Sequence, residues 1–127
     1  MIDHVSVCVR DLEQATRFYA AVLATIGYRQ MLARPGTVGF GRKYPEFWIN
    51  ARPTMSVTET NSGSHVALRA PTVAAVGAFH AAALAAGGQS DGAPGRRLQY
   101  SDSYYAAFIR DPDGNRIEVV TFDKARS

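Results

Sequence analysis

Three side chains of this sequence could together bind a divalent metal ion: two histidines and one glutamate. His4 and His65 each open a short stretch of alternating apolar residues, and Glu118 lies in a third such stretch near the end of the chain. Two imidazoles and one carboxylate suit Fe(II), Mn, Zn, Ni or Co and leave coordination positions open for a substrate. Because the three residues are widely separated in the chain, their spacing alone does not establish a metal site.

The two histidine-bearing stretches belong to an internal repeat. Residues 4–28 align with residues 65–89 without a gap. Besides three alanine pairs, the identical positions are His4/His65, Val5/Val66, Phe18/Phe79, Leu23/Leu84 and Gly27/Gly88. Alanine-rich helices match by chance, so the histidine, phenylalanine and glycine pairs carry the argument. Self-similarity of this kind predicts two half-size modules that share one core.

The alternating pattern places the three candidate ligands on corresponding faces of their strands. In residues 2–9 and 65–70 the larger apolar side chains fall on one face, which we expect to pack against a helix, whereas His4 and His65 fall on the other. In the last strand the apolar neighbours of Glu118 take the helix side and leave Glu118 on the histidine side. If a pseudo-twofold axis relates the modules, the three side chains converge in the concavity of a shared sheet.

Periodicity and turn residues predict the remaining elements, which give each module the order βαβββ. The first helix is expected to follow an N-cap at Asp11 and to end at Gly27. The second is expected to follow an N-cap at Thr72 and to end at Gly87-Gly88. Strands are predicted at 2–9, 28–34, 37–42, 46–51, 65–70, 98–101, 104–110 and 115–122, with a loop over 91–97 and a Pro/Gly turn over 111–114.

Length and composition favour a single domain of 127 residues. Module one is predicted to span 1–52, a linker 53–64, module two 65–122 and a polar tail 123–127. The polar composition and the length of the linker suggest mobility, or a flap over whatever the sheet binds.

Charge and hydropathy exclude several classes of function. The net charge is only +3, and the scattered Lys and Arg residues form no basic stripe for nucleic acid. No apolar run approaches the roughly 20 residues of a membrane helix. We expect no signal peptide, because the N-terminus enters a strand pattern directly. The single cysteine, Cys8, excludes an intramolecular disulfide and fits a cytoplasmic location.

Four segments carry a resemblance to a known superfamily. They are the opening Ile2–Val7, Arg17-Phe18-Tyr19 of the first helix, the second His-Val strand, and the closing segment Phe108–Val119. The last resembles the final hairpin of the vicinal oxygen chelate superfamily, in which an Asp-Pro-(Asp/Glu)-Gly turn precedes a strand that bears a carboxylate ligand. That superfamily includes glyoxalases, extradiol dioxygenases, and fosfomycin and bleomycin resistance proteins.

The resemblance implies a fold and a metal site. The expected fold is α+β, with two tandem βαβββ modules that form an open, barrel-like mixed sheet around a cleft and one helix per module on the outside. His4, His65 and Glu118 fall on metal-ligand positions of the superfamily. Self-association as a homodimer, sometimes with exchanged modules, is also implied.

One departure from the superfamily pattern concerns the fourth strand. Glyoxalase-type members usually carry there a second carboxylate, which binds the metal and serves as a base. Here the strand reads Glu46–Asn50, with an apolar centre and its acidic residue at the entrance. The remaining set of two histidines and one carboxylate matches the dioxygenase branch. The reaction therefore stays open between a lyase, an isomerase and a ring-cleavage dioxygenase.

Other side chains are candidates for contacting a small-molecule substrate. They are Phe40, Trp48 and Tyr100 for an apolar pocket, Arg69 for an anionic group, and Tyr104 and Tyr105 as catalytic hydrogen-bond donors. Core packing explains some of the aromatic residues equally well.

A second hypothesis needs no metal. In it the chain is a binding protein of the bleomycin-resistance type that sequesters a small aromatic or cationic ligand without turnover. The apolar fourth strand and the abundant tyrosines suit this alternative.

Overall fold

The computed structural model describes residues 1–59 and 62–123. Residues 60 and 61 of the predicted linker and residues 124–127 of the predicted tail lie outside the described residues. The elements are β1 (Val5–Val9), α1 (Leu12–Ala24), β2 (Arg29–Arg34), β3 (Thr37–Gly41), β4 (Pro45–Ala51), β5 (Val66–Arg69), α2 (Val73–Ala85), β6 (Gln89–Arg96), β7 (Tyr104–Arg110) and β8 (Arg116–Phe122). This order is βαβββ twice, as the repeat predicts.

The strands form two mixed four-stranded sheets with the same topology. Their orders are β1-β4-β3-β2 and β5-β8-β7-β6. In each sheet the first strand pairs in parallel with the last, and the other pairs are antiparallel. The predicted α+β fold of two tandem modules is confirmed, and the sheets do not close into a barrel.

Both helices pack on one side of the sheets and share a single core. The apolar faces of the first strands point toward them, and α1 packs against α2 across the module boundary. Phe18, Tyr19, Phe79 and Ile117 are at most 1% exposed. Each such side chain contributes about 1.5–3 kcal/mol by leaving water. No helix in residues 1–59 and 62–123 has the length and hydropathy needed to span a membrane.

The helix N-termini follow the predicted capping residues. The Asp11 side chain accepts a hydrogen bond from the Gln14 amide at 3.1 Å, and the Thr72 hydroxyl accepts one from the Ala75 amide at 3.0 Å. Replacing Thr72 with alanine leaves that amide without its partner, so we expect the free energy of unfolding to fall by about 1 kcal/mol in urea denaturation. The same replacement at exposed Thr54 is the control and should change it by less than about 0.5 kcal/mol. Equal effects at both positions would contradict the capping role.

The glycine-rich segment after α2 corrects the sequence analysis. The predicted loop over 91–97 is wrong, because β6 runs through it, and the predicted strand over 98–101 is wrong, because these residues form a turn between β6 and β7. The register between β6 and β7 shifts at Gly92 and at Gly95, which marks bulges. A side chain at Gly92 would lie 3.0 Å from Phe108, so glycine permits a close approach instead of ending the strand.

The turn between β7 and β8 binds the first module through buried polar contacts. The Tyr19 hydroxyl donates to Asp111 Oδ2 at 2.6 Å. Asn115 Nδ2 donates to the same oxygen at 2.9 Å and to the Cys8 carbonyl at 2.9 Å. Burial raises the pKa of both Tyr19 and Asp111, and Asp111 in turn raises that of Tyr19. The hydrogen bonds therefore join the two modules inside the core.

An ion pair extends this connection. The Arg10 backbone amide and Nε donate to Asp113 Oδ1 at 3.0 and 2.8 Å, and Asp113 is only 5% exposed. Gly114 completes the turn at φ 88°, a conformation that favours glycine. The residues of this inter-module latch are Arg10, Tyr19, Asp111, Asp113 and Asn115.

Candidate functional site

A buried carboxylate lies at the centre of the candidate site. Glu118 is in the middle of β8 and is 2% exposed, and its neighbours Ile117 and Val119 point into the core. Glu118 Oε1 lies 3.1 Å from His65 Nε2. Glu118 Oε2 accepts a hydrogen bond from the Tyr104 hydroxyl. The three side chains form one contiguous polar cluster, which we call the His–Glu–Tyr cluster.

Three neighbouring strands bring these side chains together. β5 pairs in parallel with β8, with Ala67 opposite Glu118, and His65 precedes Ala67 by two residues on the same face. β7 pairs antiparallel with β8, so Tyr104 also projects on that face. The alternation in the sequence predicted the shared face of His65 and Glu118, and the contact confirms it.

The protonation states of the cluster follow from its contacts. Burial, followed by the hydrogen bond to Glu118, raises the pKa of Tyr104 to about 12. The phenol therefore stays protonated at neutral pH and donates. A carboxylate oxygen accepts only, so the contact from His65 favours the tautomer with hydrogen on Nε2. Glu118 therefore accepts from side chains that neighbour it on both sides in the sheet.

Aromatic rings and two arginines surround the His–Glu–Tyr cluster. The Tyr104 ring lies 5.0 Å from that of Tyr100 and 5.3 Å from that of Phe122, over which the Arg69 guanidinium lies at 4.5 Å. On the other side, the His65 ring lies 6.3 Å from that of Phe108. The predicted residues Tyr100 and Arg69 are thus close to the cluster.

Sequence reasoning missed Phe108, Phe122 and Arg97. The two phenylalanines have the parity of Tyr104 and Glu118 in their strands, so the same alternation would have found them. Arg97, whose guanidinium lies 5.5 Å from the centre of the Phe108 ring, had no such signal because it is the last residue of the segment predicted to be a loop.

His4 lies apart from the cluster. It precedes β1, its side chain is 53% exposed, and its Nδ1 is 2.8 Å from Asp3 Oδ1. With Tyr28, Glu46 and Arg69 it lines a cavity of about 300 Å³. Within residues 1–59 and 62–123, no three His, Cys, Asp or Glu side chains are grouped closely enough to hold a metal ion. The structure joins His65 to Glu118 but does not bring His4 to them.

The strand register identifies the residue of the first module that corresponds to Glu118. Val5 pairs with Phe47 in the first sheet, and its repeat counterpart Val66 pairs with Ile117 in the second. One residue further on, Trp48 therefore occupies the position of Glu118. A side chain at Gly39 would lie 2.9 Å from the Trp48 ring, so the indole lies flat against that glycine. The half-buried indole takes the place of an acid.

Tyr28, which immediately precedes β2, contacts Glu46, the acid near the start of β4. The Tyr28 hydroxyl donates to Glu46 Oε2 at 3.2 Å, and burial, followed by the charge of Glu46, raises the pKa of Tyr28. Glu46 thus lies beside His4 in the same cavity, but at the end of β4.

Two predicted site residues lie elsewhere. Phe40 is fully buried, with its ring 6.4 Å from that of Tyr19, so it belongs to the core. Tyr105 packs against the core, with the Arg96 guanidinium 5.9 Å from its ring. Of the two neighbouring tyrosines, only Tyr104 contacts Glu118.

Comparison with known proteins identifies relatives of the whole fold. Residues 1–119 match the profile of the Glyoxalase/Bleomycin resistance protein/Dioxygenase superfamily. The chain is similar to a solved glyoxalase/bleomycin resistance protein from Albidiferax ferrireducens T118, with 34% identity, a TM-score of 0.80, and 93% of this chain and 95% of that chain covered. No curated protein matches the sequence.

Two further solved structures show likeness of the fold alone. One is a glyoxalase/bleomycin resistance protein/dioxygenase family enzyme from Burkholderia phytofirmans PsJN, with 21% identity, a TM-score of 0.69, and 94% of this chain and 96% of that chain covered. The other is a glyoxalase-related enzyme from Fulvimarina pelagi, with 19% identity, a TM-score of 0.70, and 94% and 86% covered.

Proposed function

Because this chain belongs to the Glyoxalase/Bleomycin resistance protein/Dioxygenase superfamily, we propose that it is a cytoplasmic enzyme for a small oxygen-bearing substrate. Its chemistry is centred on the His–Glu–Tyr cluster. The observation that carries the proposal is the contact of the buried Glu118 carboxylate with both His65 and Tyr104. A lyase, an isomerase and a dioxygenase all remain within this proposal.

The donor atoms of the cluster fit two positions of a divalent metal site. Ligand atoms about 2.0–2.2 Å from an ion and at right angles lie about 3 Å from each other. His65 Nε2 and Glu118 Oε1 are 3.1 Å apart. A bound Fe, Mn, Zn, Ni or Co ion would act as a Lewis acid on a substrate oxygen.

The third metal ligand in this proposal is His4. Since His4 of the same chain lies in a separate cavity, we propose that a homodimer with exchanged modules brings His4 of one copy to His65 and Glu118 of the other. The exposure of His4, whose side chain is 53% accessible, leaves it available for such a contact.

The chain's own residues bind and orient the substrate. Tyr104 donates a hydrogen bond, and its high pKa keeps the donor protonated at working pH. The Trp48 and Tyr100 rings contact a flat or apolar part of the substrate, and Arg69 binds an anionic part.

The alternative function is a metal-free binding protein of the bleomycin-resistance type. It is favoured by one observation: Trp48 lies where the second module carries Glu118, so the first sheet has no carboxylate at that position. The expected ligand is small and aromatic or cationic. Such a protein needs an aromatic surface to bind its ligand but no catalytic activity.

Metal analysis of untagged protein separates the two functions. Wild-type protein equilibrated with the five candidate metals is expected to retain about one ion per chain, because His65 and Glu118 supply adjacent ligands. The H65A variant should lose on the order of 100-fold in affinity. The H80A variant is the matched control, because His80 lies on α2 and its ring hydrogen-bonds to Ser90 Oγ at 2.8 Å. Negligible metal in the wild type, or full retention in H65A, would overturn the metalloenzyme.

A further inference from the structure

Arg97 has the features of a pre-positioned anion-binding group. Its Nη1 donates to the Gly95 carbonyl at 2.9 Å and its Nη2 to the Ala93 carbonyl at 2.7 Å. The guanidinium lies over the Phe108 ring, 5.5 Å from its centre. Carbonyls and a ring hold the group in place without neutralising its charge.

Two acids of the second module, Asp91 and Asp123, are paired with other arginines. Asp91 accepts from Arg110 at 3.1 Å and from Arg116 at 2.8 Å. Asp123 pairs with Arg96 at 2.9 Å. Among the ion pairs of the described residues, none involves Arg97. Its positive charge is therefore available to a bound anion.

Two glycines of β6 make room for the guanidinium. A side chain at Gly95 would lie 3.2 Å from Arg97 Nη1. One at Gly92 would lie 3.3 Å from Nη2 and 3.0 Å from Phe108 Cδ1. Glycine within a strand usually weakens it, and its use here allows the backbone to approach a ligand-facing side chain closely. The bulged strand thus forms a seat for one arginine.

The seat adjoins the His–Glu–Tyr cluster. Phe108 pairs with Glu118 across the β7–β8 ladder, and the His65 ring lies 6.3 Å from the Phe108 ring. Arg97 and His65 therefore approach the same phenylalanine. Phe108 and Tyr104 are four residues apart on β7, which is roughly 13 Å of strand. Tyr104 pairs with Phe122, over which Arg69 lies, so Arg69 is beyond the other end of the cluster.

We propose that Arg97 binds an anionic group of the substrate, a carboxylate or a phosphate, whose reacting end reaches His65 and Glu118. Of the five N–H donors of a guanidinium, two are donated to carbonyls, which leaves three for a charge-assisted pair with the anion. The inference rests on the proposed function and narrows its substrate class to small organic acids or phosphorylated compounds.

Titration calorimetry at low salt tests the seat with two probes, succinate and inorganic phosphate. We expect at least one probe to bind the wild type, and R97Q to bind it at least tenfold more weakly. R97K should be intermediate, because lysine keeps the charge and loses the planar fork. The control is R29Q, which removes an exposed arginine of β2 and should bind as the wild type does. Binding of succinate alone indicates a carboxylate substrate, and binding of phosphate alone indicates a phosphorylated one.

Two results of the calorimetry would contradict anion binding by Arg97. Equal binding by R97Q and wild type, or no binding of either probe to the wild type, would overturn the seat. The H65A variant separates this failure from that of the proposed function. If H65A binds metal as the wild type does while R97Q still loses the anion, the metal site is wrong and the seat stands.

Discussion

Replacement of Glu118 by glutamine is expected to weaken divalent-metal binding on the order of 100-fold or more. Glutamine keeps the volume of this buried side chain and an oxygen that accepts from Tyr104, but it removes the charged oxygen next to His65. We expect the free energy of unfolding to change by no more than about 1 kcal/mol, since a partner remains for the buried donor. Mass spectrometry of bound metal and urea denaturation measure the two effects.

Glu46 provides the matched control for this prediction. It too accepts a hydrogen bond from a tyrosine, Tyr28, but it lies at the entrance of β4 beside His4. E46Q is expected to retain wild-type metal affinity. Loss of metal from E46Q with retention in E118Q would contradict the assignment and identify Glu46 as the ligand, as in glyoxalase-type members of the superfamily.

Replacement of Asp111 by alanine is expected to lower the free energy of unfolding by about 3 kcal/mol, because it leaves several buried donors without a partner. The Asp111 carboxylate accepts from the Tyr19 hydroxyl, from the Asp113 and Asn115 amides, and from the Asn115 side chain. Chemical denaturation monitored by tryptophan fluorescence measures the change, since Trp48 is the single tryptophan.

Two comparison variants make this result interpretable. D102A removes an exposed aspartate in the turn before β7 and should change stability by less than about 0.5 kcal/mol. Y19F removes one donor and leaves the carboxylate other partners, so about 1 kcal/mol is expected. A loss in D111A no larger than that in D102A would show that the inter-module latch contributes little to stability.

Alternation and the repeat sufficed to predict the βαβββ order of both modules and the shared face of His65 and Glu118, whereas the fold as a whole was implied by the superfamily resemblance. A period of two assigns each residue to one face, and the repeat assigns the same topology to both halves. The contact distance of 3.1 Å bears this out. The roles of these residues as metal ligands stay a prediction.

The position of His4 did not follow from the same reasoning. Both histidines immediately precede their strands, since β1 begins at Val5 and β5 at Val66, so this placement does not distinguish His4 from His65. Periodicity describes faces within a strand, but it carries no information on where one sheet edge lies relative to another. The placement of His4 beside Glu46 depends on that tertiary arrangement.

The seat of Arg97 was unpredictable for a related reason. Gly92 and Gly95 look like loop residues because glycine serves both turns and close approaches. Which of the two applies depends on the neighbour, and here the neighbour is Phe108 on the adjacent strand. Only the pairing of β6 with β7 reveals that the glycines accommodate a ring and a guanidinium.

The inter-module latch also bears on the order of events during folding. Its contacts join residues 92 to 107 positions apart, whereas the contact between His65 and Glu118 spans 53. Closing a longer loop costs more chain entropy, and distant pairings slow the search for the native state. We therefore expect each half to acquire its own hairpins and helix first. Docking of the Asp111–Gly114 turn onto the first helix then sets the rate at which the common interior closes.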